Sequence, residues 1–475
     1  MWETELSKAN EIVICGAGAV ANMTYLYLCE CGYGNKIRCF AVSKKDNNPV
    51  KKNGLEVREI AKLPDRESGV LYVIATQPVV QDEIVNELIR SGPVSFVKVD
   101  ADILADEFYE KYHRNPIEKK KILFSNMKGL GYGGNPKYIA EALFSLDIRR
   151  ELDLVWVVSE KTKGHFPKGI RTVTEGTAAY YKELATAHVW IDNVRKGADV
   201  KKREGQYYIQ SWHGAAPMKR VEMDAMESLP ATYVENAKRD SQMADLFLSG
   251  SKFYTSLYRR AFWYEGAIMQ VGLPRHDVFW NTKGIKEKVV KYFGLSAEAA
   301  IVVYAPTFRA NFSMNVYDMN IGAVRESLEK RFNRKFVFLV GKHPNNRHLQ
   351  YQFPFDERCI DVGEYEDFQE ILAAADVLIT DYSGCAYDFS FTGRPIFLYQ
   401  PDFEKYTVER DFYVPVSEMP YISAETNGEL VEAIAKFDDN EYGFNLTKYM
   451  NRFENYDKGC AAEKVAEHIL NIVGD

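Results

Sequence analysis

Short apolar runs separated by polar stretches recur along the whole chain, and many of them end in glycine or in a polar cluster. The first, Glu11-Ile12-Val13-Ile14-Cys15, leads into Gly16-Ala17-Gly18-Ala19-Val20-Ala21 and then into a helical pattern to about residue 31. That order predicts a strand, a tight turn and a helix. Strand-like runs at Ile37 to Val42, Val70 to Ala75 and Val94 to Val99, with a helical stretch from Gln81 to Arg90, complete a small doubly wound unit over residues 1–105. A second alternating block, residues 115–284, holds Ile122-Leu123-Phe124, Leu154 to Val158, Val189-Trp190-Ile191 and Tyr207-Tyr208-Ile209. A third, residues 285–475, holds Ile301 to Tyr304, Phe336 to Val340, Val377-Leu378-Ile379 and Ile396 to Tyr399. The pattern is α/β throughout. Two consecutive blocks of similar size imply a cleft between them, and in open α/β sheets ligands sit beyond the carboxyl ends of the strands. No internal repeat or low-complexity segment interrupts the pattern.

Composition narrows the function classes. A chain of 475 residues has room for two or three domains. No apolar run reaches the roughly eighteen residues that a membrane-crossing helix needs. The start, Met1-Trp2-Glu3-Thr4-Glu5, lacks the basic and apolar regions of a signal peptide, so the expected location is the cytoplasm. Seven cysteines without a CxxC pair argue against a disulfide framework or a zinc site and for buried free thiols. A net charge of -7 argues against nucleic acid as the main partner.

Five clusters occupy strand-end positions. Gln210-Ser211-Trp212-His213-Gly214 follows the strand Tyr207 to Ile209, where a histidine beside a glycine suits a general base; taken alone, it would read as a capped core histidine. Ala305-Pro306-Thr307-Phe308-Arg309 and Gly341-Lys342-His343-Pro344 place cationic and hydrogen-bonding groups where a diphosphate would need them. Thr380-Asp381-Tyr382-Ser383-Gly384 precedes a helical run to about Thr392, so Ser383 and Gly384 fall at a helix N-terminus suited to an anion; Asp381 or Ser383 would also serve as a simple helix cap. Glu409-Arg410-Asp411-Phe412-Tyr413 adds an arginine, with a solvated loop charge as its plain alternative.

The N-terminal Gly16, Gly18 and Ala21 approximate a dinucleotide fingerprint. The second strand ends in Ser43-Lys44-Lys45, however, without the acidic residue that holds an NAD ribose. The segment reads as a Rossmann-like scaffold, with a nucleotide-binding regulatory role as the lesser alternative.

Over roughly residues 120 to 470 the chain resembles the CDP-glycerol glycerophosphotransferase family of teichoic acid and capsule enzymes. The resemblance rests on Gly131-Tyr132-Gly133-Gly134-Asn135-Pro136-Lys137, Trp190-Ile191-Asp192-Asn193, Trp212-His213-Gly214, Gly272-Leu273-Pro274-Arg275-His276-Asp277, Ala305-Pro306-Thr307-Phe308-Arg309, Lys342-His343-Pro344 and Thr380-Asp381-Tyr382-Ser383, in the family's order. It implies a GT-B fold of two facing Rossmann-like domains, with the acceptor toward the first and the CDP-alditol donor in the second. It also implies that His213 and His343 are catalytic. Arg309, Lys342, Thr380, Asp381, Ser383, Gly384 and Arg410 would bind the donor. The implied reaction moves glycerol or ribitol phosphate to an acceptor hydroxyl and releases CMP. Its nearest rival on the same fold is a nucleotide-sugar glycosyltransferase, which would release a nucleoside diphosphate. No carboxylate cluster demands a metal, and Mg²⁺ is compatible with the donor diphosphate. Ala215-Ala216-Pro217-Met218 and Asp411 depart from the family pattern and bear on the acceptor and alditol. A lipid-linked or polyol-phosphate acceptor would bring the chain to the inner membrane surface. A candidate contact is Phe253 to Trp263, with Tyr254, Leu257, Tyr258, Ala261 and Phe262 at helical spacing beside Arg259 and Arg260; packing of this stripe into the second block is the alternative.

Overall fold

The computed structural model describes residues 2–45, 48–63, 69–90, 92–159, 162, 165–214, 219–307, 318–341, 355–404 and 412–474. The apolar runs form three sheets. The first contains β1 (Glu11–Cys15), β2 (Ile37–Val42), β3 (Lys51–Lys52), β4 (Leu55–Glu59), β5 (Val70–Ile74) and β6 (Ser95–Lys98), in the order β3-β4-β2-β1-β5-β6. The second contains β7 (Glu118–Phe124), β8 (Asp153–Val158), β9 (Ile170–Thr174), β10 (Ala187–Asp192), β11 (Tyr207–Gln210), β12 (Leu246–Ser249) and β13 (Ala267–Gln270), in the order β13-β12-β11-β10-β7-β8-β9. The third contains β14 (Ala300–Ala305), β15 (Phe336–Val340), β16 (Cys359–Asp361), β17 (Val377–Thr380), β18 (Ile396–Tyr399) and β19 (Ile422–Ala424), in the order β16-β15-β14-β17-β18-β19. Pairing is parallel except between β3 and β4. Strands such as β14 and β17 are buried along their whole length, as parallel strands covered on both faces must be.

Each sheet reverses its strand order once near its middle, and such a point leaves a crevice at the carboxyl ends. In the second sheet the reversal lies between β7 and β10. There the Asn193 side-chain amide donates to Asn126 Oδ1 at 2.7 Å, and Met127 N–H donates to Asn193 Oδ1 at 2.8 Å. In the third sheet it lies between β14 and β17, where Thr307 meets Asp381. In the first sheet the Gly-rich turn follows β1. Gly16 has φ +124°, and a Cβ there would stand 2.5 Å from the Ala75 carbonyl oxygen, so tight packing of the turn onto β5 already requires glycine.

The first two sheets share one apolar cluster: Val20, Ala21 and Phe108 pack with Tyr181, Trp190 and Tyr208. The Asn22 amide donates to the Gly176 carbonyl at 2.7 Å across the same boundary. The second and third sheets meet through buried ions. Lys137 Nζ lies 2.7 Å from both Asp367 and Glu370, and all three residues are buried. Tyr138 Oη donates to Asp367 at 2.8 Å, and Tyr413 Oη to Asp224 at 2.7 Å. The terminal helix Ala461–Gly474 returns to the second sheet, where Val465, Ala466, Ile469 and Val473 pack with Ile122, Phe124, Ile139 and Leu143.

The stripe considered as a membrane contact lies on the helix Lys252–Ala261. Tyr254, Leu257, Tyr258, Ala261 and Phe262 are all buried in the cluster with Phe247, so the packing alternative holds and the stripe offers no lipid-facing surface. Its hydrophobic period reports the protein's own core. No helix among the described residues is long and apolar enough to cross a membrane.

Candidate active site

His213 stands three residues beyond β11, at the carboxyl edge of the second sheet. The turn that carries it is over-determined. Ser211 N–H donates to the Asp192 carbonyl at 2.8 Å, Trp212 N–H donates to Gln210 Oε1 at 2.9 Å, and Asn135 Nδ2 donates to the carbonyls of Ser211 and Trp212 at 3.0 and 2.9 Å. Trp212 is thereby held at φ +51°, a left-handed conformation that a bulky residue adopts only under tertiary compulsion. The His213 ring stacks obliquely on Trp212 with centroids 4.3 Å apart, and its outer edge is exposed.

His213 Nδ1 lies 2.8 Å from the Asn193 carbonyl oxygen, which can only accept. Nδ1 therefore carries the hydrogen, and Nε2 is left as a lone-pair acceptor. Desolvation of the ring, reinforced by the positive charges of Arg275 and Arg195, holds its pKa below the ordinary 6.5 despite the Asn193 contact. A neutral imidazole with one nitrogen fixed and the other available is the form a proton acceptor requires.

On the facing sheet, Thr380 and Asp381 are fully buried. Thr380 Oγ1 donates to the Ala305 carbonyl at 2.6 Å, and Asp381 accepts from both Thr307 N–H and Thr307 Oγ1 at 3.0 Å. These two side chains brace β14 against β17. Ser383 is half-buried and Gly384 exposed, so they are the members of this cluster that reach solvent. Ser383 Oγ accepts from Cys385 N–H at 3.3 Å, but the N-cap of the short helix Cys385–Ser390, which stops two residues before Thr392, is Gly384. Arg309, Lys342, His343 and Arg410, with residues 215–218 and Asp411, lie outside the described residues. Thr307 and Gly341, which precede three of them, stand at the carboxyl ends of β14 and β15.

The structure adds groups whose roles the sequence did not show. Arg275, buried, donates from Nη1 to the His213 carbonyl at 2.5 Å and from Nη2 to Asp388 Oδ1 at 3.2 Å. His276 lies between Asp388, 3.0 Å from Nε2, and Asp457, 2.9 Å from Nδ1. Both residues belong to the segment Gly272 to Asp277, but their partners lie 62 to 181 positions away, and no local pattern marks them. Among the described residues no group of three or more His, Cys, Asp or Glu is arranged to hold a metal ion.

A family model described as CDP-Glycerol:Poly(glycerophosphate) glycerophosphotransferase matches residues 107–471. The chain belongs to that family. The glycerophosphotransferase match omits the first sheet, which spans residues 11–98. The teichoic acid poly(glycerol phosphate) polymerase of Bacillus spizizenii is 28% identical over 75% of this chain and 93% of that protein. The teichoic acid glycerol-phosphate transferase of Staphylococcus aureus is 26% identical over 74% of this chain and 93% of that protein. The chain spans about half (51%) of the poly(glycerol phosphate) polymerase of Staphylococcus epidermidis. The solved structure of the wall teichoic acid polymerase TagF superposes with a TM-score of 0.68 at 25% identity, covering 78% of this chain and 94% of that one. This glycerophosphotransferase thus has the GT-B arrangement of two facing Rossmann-like units, preceded by a third. As its family implies, it is an enzyme of the CDP-alditol phosphotransferase type.

Proposed function

We propose that the protein transfers glycerol phosphate or ribitol phosphate from a CDP-alditol to a hydroxyl of a polyol-phosphate acceptor in teichoic acid or capsule synthesis. The observation that carries this reading, beside the family, is the fixed tautomer of His213 at the carboxyl edge of the second sheet. His213 Nε2 takes the proton of the acceptor hydroxyl, whose oxygen attacks the β-phosphorus of the donor. The bond from that phosphorus to the bridging oxygen breaks, and the electron pair leaves on CMP. The Ser383 hydroxyl and Gly384 amide, with Arg309, Lys342, His343 and Arg410, hold the diphosphate and offset its charge. Thr380 and Asp381 support this turn from behind.

In this reading residues 1–105 form an accessory unit, 115–284 the acceptor unit and 285–475 the donor unit, which lends its last helix to the acceptor side. The work is done in the cytoplasm, at the inner membrane face when the acceptor is lipid-linked.

The spent nucleotide tests the reaction class. With CDP-glycerol or CDP-ribitol and a polyol-phosphate acceptor, chromatography should show CMP formed in step with product, and UDP-sugars should give no turnover. Release of CDP from those donors, or of UDP from a nucleotide sugar, would mean attack at carbon and overturn the assignment.

A further inference from the structure

Arg275 lies between the His213 turn and Asp388, where an arginine invites assignment to the donor diphosphate. Both of its terminal nitrogens are already engaged. One terminal nitrogen donates to the carbonyl of His213 at 2.5 Å, the other lies 3.1 Å from Asp388 Oδ2 and 3.2 Å from Oδ1, and the side chain is buried. Its backbone N–H donates to Asn135 Oδ1 at 3.1 Å, and the amide of Asn135 holds the carbonyls of Ser211 and Trp212. The one residue therefore touches the His213 turn twice, directly and through Asn135.

The other end of the connection lies on the facing sheet. Asp388 is on the helix Cys385–Ser390, one turn beyond Gly384. A displacement of the turn Thr380–Gly384 carries this short helix with it. Asp388 is fixed by two more contacts: Gln369 Nε2 donates to Oδ2 at 2.8 Å and His276 Nε2 donates to Oδ1 at 3.0 Å, while the far side of His276 donates to Asp457 Oδ1 at 2.9 Å. Leu273 N–H donates to the same Asp457 oxygen at 2.9 Å, and Gly272, at φ +95°, packs so closely on Asp457 that a Cβ would stand 2.9 Å from its Cα. The segment Gly272 to His276 is thus clamped on both sides.

We infer that Arg275, His276 and Asp388 form a positioning strut that ties the donor turn to the loop carrying His213, so that the proton acceptor is held at a fixed place relative to that turn. The inference rests on His213 as the base. The strut residues touch neither substrate; they act through the His213 turn, and their removal changes turnover while leaving nucleotide binding intact. A shift of about 1 Å in a reacting group is enough to cost on the order of a hundredfold in rate.

The test measures CMP release at saturating donor for Arg275→Lys and Asp388→Asn, each alone and combined with His213→Ala, with CDP affinity by calorimetry and fold by circular dichroism. Lysine keeps the charge but cannot span both partners, and asparagine keeps the shape, so at least one variant stays folded. Each single change should lower turnover by about 10- to 100-fold and move CDP affinity by less than about twofold. Added to His213→Ala, each should change the residual rate by less than about twofold, because the group it positions is already gone. A full multiplicative loss on top of a slow His213→Ala enzyme, wild-type turnover in both strut variants, or weakened CDP binding matching the loss of turnover would overturn the strut and leave the base in place. Wild-type turnover in His213→Ala would remove the base and the strut together.

Discussion

His276 donates to two carboxylates at once, which a neutral imidazole cannot do, because only one of its nitrogens then carries a hydrogen. Burial by itself would lower its pKa, but Asp457 and Asp388 more than offset this and raise it from 6.5 to about 9; the other charged groups beside it are Arg275 and Asp277 on its own segment. A histidine whose pKa is higher folded than unfolded adds stability that is complete below pH 6.5 and is lost as pH rises toward 9. Over that window the wild type should lose stability with a slope of up to about 1.4 kcal/mol per pH unit, and His276→Gln should flatten it. Denaturant unfolding at pH 6 to 9.5 measures this, and parallel slopes in the two proteins would refute it. The two histidines also show what one residue's neighbourhood in sequence can disclose. The strand-end placement of His213 was legible because the residue follows an apolar run and precedes a glycine. The protonation of His276 was not, because its two partners stand 112 and 181 positions along the chain.

Strands were legible at most of the longer apolar runs, and β2, β15 and β18 have the ends that their sequence predicts, although the buried run of β12 was missed. Those that escaped are short or lie toward sheet edges. β9 has two consecutive exposed positions, Arg171 and Thr172, between buried ones, β3 is two lysines, and the first residues of β7, Glu118 to Lys120, are charged and exposed. The stripe on Lys252–Ala261 shows the converse limit, since an apolar helical face has the same period whether it meets lipid or a neighbouring strand. At the terminal helix the decisive device is Asp277, whose two carboxylate oxygens accept from Ala461 N–H at 3.1 Å and Ala462 N–H at 2.7 Å. Asp277→Ala should cost about 1–2 kcal/mol and quicken proteolysis near residues 455–460. An unchanged unfolding midpoint and digestion rate would show that apolar packing alone holds the helix.

Across the whole molecule, the sequence indicated three α/β units and a cleft but gave no sign of what closes it. Lys137 and its partners Asp367 and Glu370 are 230 and 233 residues apart, and each reads locally as an ordinary charged helix position. Replacing Lys137 by Met leaves Asp367 buried with the Tyr138 hydroxyl and the Gln369 N–H donating to it but no cation beside it, while Lys288 still reaches Glu370 at 2.7 Å. The loss should be about 3–5 kcal/mol, seen as an unfolding midpoint lower by several degrees and, in small-angle scattering, a larger radius of gyration as the two units part. Unaltered scattering with an unaltered midpoint would show that the ion cluster does not hold the units together. The return of the terminal helix has a consequence for biogenesis. Val465, Ala466, Ile469 and Val473 complete the core around Ile122 and Phe124 only after the entire third sheet has been translated. On the ribosome, the acceptor unit must wait with an open apolar face while the donor unit, made later, can finish folding first.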